Sequence, residues 1–297
     1  MDEPCRRRQT CIGNSLAVVP AMLLSLLLFG LVAPARAAST AWVNSDFSQI
    51  RLIGVNDGGQ VLAGLHIRLE PGWKTYWRSP GDSGVPTLVD WAGSDNVSVA
   101  GLSWPTPERL VISGFQSFVY QNEVVLPLKM KVDDANKPVR LAANVDYAVC
   151  KEICVPLQTS LDLELDPVVK ARGDKVHQRL IRKFQSQVPV LQAVGAAGQG
   201  NSGIAVTGAS LVAVGGKRIL RVTVASDRAL QVPEMFIEAT QSVSFSVPTV
   251  RYAENRRQAD FSFRIAGEKP GNNLTGSTVI ITAADGGRAF ESRYRLK

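Results

Sequence analysis

Apolar residues recur at every second position over most of this chain, a period that suits strands with one buried face. The series runs Val61, Ala63, Leu65, Ile67 and Leu69, then the even positions from Val124 to Val132, then the odd positions from Val139 to Val149, then Leu161, Leu163 and Leu165. Turn sequences separate the runs, as in the "NDGG" at 56–59. Strands this short and numerous favour a sandwich over an open sheet. Between 168 and 188 the spacing becomes four (Val176, Leu180, Phe184, Val188) with Lys and Arg between, which predicts an amphipathic helix stopped by Pro189. The "GAAGQGNSG" at 195–203 has the composition of a flexible linker. Alternation then returns in Leu220, Val222 and Val224, in Val243, Phe245 and Val247, and in Phe261, Phe263 and Ile265, and the tail predicts a hairpin around the "DGG" at 285–287. The expected architecture is all-β: two sandwiches, over 38–167 and 204–297, joined by the helix and linker of 168–203.

The first 37 residues stand apart. Arg6, Arg7 and Arg8 precede an apolar run interrupted by Pro20, and Ala35-Arg36-Ala37 closes it, the pattern of a secretory signal peptide cleaved after Ala37. Cleavage removes Asp2, Glu3 and the four arginines up to Arg36, lowering the formal net charge from +7 to +5. The remaining positive charge is scattered, with no aromatic-interleaved basic cluster, so neither a nucleic acid nor a membrane partner is expected. Cys5 and Cys11 leave with the signal, and Cys150 and Cys154 are the thiols of an exported, oxidising location.

Three chemistries are open to two cysteines in "YAVCKEICVPLQ". A structural disulfide closing so short a loop contributes about 2 kcal/mol, against nearly 5 for a loop of about a hundred residues, which disfavours a staple without excluding it. Strand parity adds a second consideration. The odd positions from Val139 to Val149 face the core, which turns Cys150 outward, and Cys154 follows if the register survives Pro156. Structural cysteines usually point inward, whereas two outward sulfurs at the end of a hairpin suit attack by a partner thiolate. A zinc site needs four ligands, and only the distant His66 and His177 are on offer. Copper(I) needs fewer, and two thiolates can hold it; Met130 and Met235 lie in strand patterns. No hydrolase triad or phosphate loop is present, and Asp82 and Ser83 of "PGDSG" fit turn chemistry.

Taken together, "GWKTYWRSPGDSGVPTLVDW", "LSWPTPERLVISGFQSFVYQNEVVLPL" and "VDYAVCKEICVPLQTSLDLEL" resemble the N-terminal periplasmic domain of the thiol:disulfide interchange protein DsbD, in its ScsB-like variant. The resemblance covers about 42–166, and through ScsB-like proteins extends over the mature chain. It implies an immunoglobulin-like fold, a periplasmic location, no bound cofactor, and a cysteine pair that passes electrons as a protein-disulfide reductase does. The implied partners are a thioredoxin-like electron donor or membrane electron conduit, and periplasmic thiol-disulfide proteins as acceptors. By position, Cys154 is the sulfur that attacks and is attacked, and Cys150 resolves. A cap loop at 110–115 carries Phe115 as the covering ring, and Trp73 and Tyr76 line the site. The family's cysteines have a longer spacer, and its membrane segments and thioredoxin-like part have no match here, so the electron donor is expected to be a separate protein.

Overall fold

The structure, a computed structural model, describes residues 38–57, 60–166, 174–193, 203–269 and 273–297. The expected signal peptide, with Cys5 and Cys11, and the expected linker up to residue 202 lie outside the described residues. Among the described residues no helix is long and apolar enough to cross a membrane.

The first sandwich is built from eleven strands. One sheet has the order β1 (Val43–Asn44), β2 (Ser48–Asp57), β3 (Gln60–Leu69), β9 (Glu123–Val132), β6 (Val97–Leu102). The other runs β11 (Cys154–Leu165), β10 (Val139–Cys150), β4 (Lys74–Gly81), β8 (Phe115–Gln121), β7 (Glu108–Ile112), and β5 (Leu88–Asp90) also pairs with β10. Period-two burial is plainest on β10, where Val139, Leu141, Ala143 and Val145 are buried and Arg140, Asn144 and Asp146 are exposed. These inward residues meet Leu52, Leu65, Ile67 and Leu126 of the opposite sheet in one core. Each such fully buried Leu or Ile contributes about 1.5–3 kcal/mol, so the alternation itself specifies which face turns in.

Helix α1 (Asp174–Gln185) packs against β2, β3 and β9 as a third layer instead of standing between domains. Its buried face is His177, Leu180, Ile181 and Phe184, while Val176 is 57% exposed. The expected stripe of Val176, Leu180, Phe184 and Val188 is therefore corrected: the i, i+3, i+4, i+7 positions start one residue later. The reason lies in the sheet, whose strand parity turns Ile53 and Val125 away from the opposite sheet; both are fully buried, on strands that the helix covers.

The second sandwich has one sheet ordered β12 (Val190–Leu191), β20 (Arg288–Arg295), β19 (Thr278–Asp285), β15 (Glu234–Ala239). The other is β13 (Ile204–Val214), β14 (Lys217–Ser226), β18 (Gln258–Ala266), β16 (Ser244–Phe245), with β17 (Thr249–Tyr252) also on β18. Leu220, Val222, Phe261, Phe263, Ile281 and Phe290 fill its core. The run Val243, Phe245, Val247 forms only the two-residue β16, and Val247 is 41% exposed.

The two sandwiches are in contact. Strand β15 is buried on both faces: Met235 and Ile237 enter the second core, whereas Phe236 enters the first, 5.6 Å from the Trp77 ring and 4.9 Å from Phe118. Glu234 and Glu238, two residues to either side, pair with Arg109 and Arg78 of the first sandwich. Arg78 also bonds Glu291, and its two carboxylate partners outweigh burial and push its pKa up.

Candidate redox site

The β10–β11 register runs unbroken from Val139↔Leu165 to Cys150↔Cys154, so Pro156 introduces no bulge and the outward parity of both cysteines holds. Lys151, Glu152 and Ile153 form the turn, closed by the Lys151 N–H donating to the Ile153 carbonyl at 3.1 Å. The sulfurs are bonded, with the Cα atoms 4.1 Å apart.

The two sulfurs differ in access. Strand β10 is interior to its sheet, and Cys150 is 2% exposed in a small outer-face cluster with Tyr76, Val119 and Leu110. Strand β11 is the sheet edge, and Cys154 is exposed. Outward parity thus leaves only one sulfur open.

Tyr76 crosses the pair, its hydroxyl 3.6 Å from Cys154 Sγ. Burial raises its pKa, so it remains a neutral O–H donor. Its ring is pinned by the "PGDSG" loop: Gly84 has φ +119°, and a Cβ there would stand 2.2 Å from a ring carbon. That loop is tied to β8, with Asp82 N–H donating to the Gln116 carbonyl at 2.8 Å and Gln116 N–H donating to Asp82 Oδ2 at 2.9 Å. Lys74 donates from Nζ to the carbonyls of Lys151 (3.1 Å) and Cys150 (3.4 Å), and burial lowers its pKa.

Opposite the cysteines stands the β7–β8 hairpin. Ile112 pairs with Phe115 across Ser113 (φ +52°) and Gly114 (φ +86°), a two-residue turn with both central residues left-handed, as a type I′ hairpin requires. The expected cap loop is this hairpin tip. A groove of about 670 Å³ separates it from the disulfide, lined by Tyr76, Leu110, Phe115, Ser117 and both cysteines among others. Phe115 is 64% exposed and walls the groove without sealing it, and Ile112, 56% exposed, lines it on the same hairpin.

Of the expected site residues, Phe115 and Tyr76 line the groove with Cys150 and Cys154, and Trp73 does not. Trp73 stacks on Phe47 with ring centroids 4.1 Å apart, against the first core. Parity explains the difference, because Thr75 and Trp77 turn inward with Trp73 while Lys74 and Tyr76 turn outward. The same parity, applied to "WKTYW", would have found Lys74. His66 is fully buried and bonded to Glu123, on the sheet opposite the cysteines.

Residues 48–166 match the family described as thiol:disulfide interchange protein DsbD, N-terminal. This part of the chain is similar to the DsbD N-terminal domain. Residues 187–297 match a second family, described only as a domain of unknown function. The crystal structure of the N-terminal periplasmic domain of ScsB from Proteus mirabilis is similar in fold, with a TM-score of 0.65, 21% identity, and coverage of 88% of this chain and 98% of that one. No curated protein matches the chain. In this DsbD-like sandwich, Tyr76→Phe is expected to raise the thiol pKa of reduced Cys154 by about half to one pH unit, the equivalent of one lost hydrogen bond. The check is the pH profile of iodoacetamide alkylation; an unchanged profile would show that the hydroxyl does nothing for the thiolate.

Proposed function

We propose that the protein is exported by a signal peptide at 1–37 and works in the periplasm as a thiol-disulfide exchange protein, cycling between a Cys150–Cys154 disulfide and a dithiol. The observation that carries this reading is the asymmetry of the pair, one sulfur open beside a groove and the other buried, within a sandwich similar to the DsbD N-terminal domain. A donor thiolate attacks Cys154 Sγ; the disulfide breaks, and its electron pair leaves on Cys150 Sγ, which takes up a proton. The donor's second thiolate then attacks the donor sulfur of the mixed disulfide. Cys154 departs as a thiolate held by the Tyr76 O–H, and the donor is left oxidised. Two electrons have passed to this protein. Delivery to an acceptor disulfide runs the same steps in reverse, with Cys154 as nucleophile and Cys150 as resolving thiol. The donor is a thioredoxin-like protein or a membrane electron conduit, and the acceptors are periplasmic thiol-disulfide proteins.

The test is the reduction potential of the pair, equilibrated against glutathione and read by the mass shift of alkylated thiols. A value between roughly −180 and −270 mV is expected, the span of known exchange proteins. A bond that stays oxidised below about −300 mV would identify a structural staple instead.

A further inference from the structure

The groove wall that carries Phe115 is bonded to the second sandwich, and the bonds converge on two buried side chains. Arg109, on β7, donates through Nε to Glu234 Oε2 at 2.9 Å, and its terminal nitrogens reach the Met235 carbonyl and Gln116 Oε1. Gln116, on β8, donates through its side-chain nitrogen to the Phe245 carbonyl. The Arg109 side chain is 7% exposed, and its guanidinium lies 5.1 Å from the rings of both Phe118 and Phe236. Phe236 already supplies an apolar anchor between the sandwiches. A buried polar bridge costs desolvation and adds direction more than stability. This one is spent on the two strands of a single hairpin.

The hairpin tip projects between open spaces. One is the groove at the disulfide; the other, of about 680 Å³, is lined by Gly114 and Phe115 together with Ser244, Phe245 and Arg264. Beyond Ser117, where β8 pairs with Gly81 of β4, the tip is a two-stranded piece, which is marginally stable alone and so takes its position from its base.

We propose that Arg109 and Gln116 are positioning residues, through which the second sandwich braces the Phe115 wall at the spacing from Cys154 that a docking thioredoxin-fold protein requires. The inference rests on the reading of Cys154 as the attacked sulfur. Preorganisation of this kind favours a large partner that touches both walls and is indifferent to a small thiol that touches neither.

The experiment compares reduction of the oxidised protein by thioredoxin and by dithiothreitol in wild type, Arg109→Ala, Glu234→Gln and Phe115→Ala. Glu234→Gln keeps the shape of a carboxylate whose side chain is 42% exposed, and serves if Arg109→Ala does not fold. Loosening the brace is expected to slow thioredoxin by about fivefold or more while leaving dithiothreitol within about twofold. A merely stabilising contact would lower Tm and leave the ratio of the two rates unchanged, which would overturn the proposal. Slowing in Phe115→Ala with none in either brace variant would overturn the brace and leave the groove reading standing. If thioredoxin fails to reduce even the wild-type disulfide that dithiothreitol opens, the exchange reading falls, and the brace with it.

Discussion

Replacing Cys150 with serine is expected to turn exchange into capture. Cys154 then forms a mixed disulfide with a partner and has no resolving thiol to release it, so covalent complexes accumulate on non-reducing gels. Cys154→Ser should give the opposite result, with no complexes, because the surviving thiol is only 2% exposed beneath Tyr76, Val119 and Leu110. Thiol reactivity follows access and thiolate fraction, so alkylation of the lone cysteine should be at least about a hundredfold slower in Cys154→Ser than in Cys150→Ser. Either substitution also removes a short crosslink worth about 2 kcal/mol, so both variants share a similar loss of stability and differ in chemistry alone. Equal capture by the two variants would show that burial does not assign the roles.

The second large effect is expected from Phe236→Ala. Phe236 is fully buried in a core that belongs to the other sandwich, and truncating such a ring costs about 3–5 kcal/mol. Its loss also leaves Arg78 and Arg109 bridging an emptied contact, which should uncouple the sandwiches. Every tryptophan of the chain (Trp42, Trp73, Trp77, Trp91 and Trp104) lies in the first sandwich, so indole fluorescence follows that half while far-UV circular dichroism follows both. In wild type the two urea transitions should coincide; in Phe236→Ala they should separate. Coincident transitions shifted by less than about 1 kcal/mol would sink the view that this ring couples the two halves.

How far the fold could be read in advance depended on the range of the interactions involved. Strand alternation is local, and burial on β10 follows the odd positions of the sequence as far as Tyr147, after which Ala148 and Cys150 on the outer face are buried as well. The helix that follows the first sandwich in sequence is legible in type, but its buried face starts one position later than the apolar spacing predicts. Its own apolar residues permit more than one stripe, and the sheet surface of Ile53 and Val125 selected the one that starts at His177. Trp73 lies away from the groove for a local reason, since it directly precedes β4 and has the opposite parity to Tyr76.

The interface between the sandwiches was not legible at all. "EMFIE", at 234–238, looks like an ordinary strand whose middle three residues enter one core. Nothing in the neighbouring sequence says that Met235 and Ile237 go one way and Phe236 the other, because the partners of its alternate face lie more than a hundred residues earlier in the chain. The cysteine pair shows the same division within four residues. Alternation alone determined that Cys150 and Cys154 share the outer face of a hairpin. Only the tertiary structure decided that one sulfur is buried and the other open, since that depends on which strand is the sheet edge and on which side chains β4, β7 and β8 bring over its neighbour.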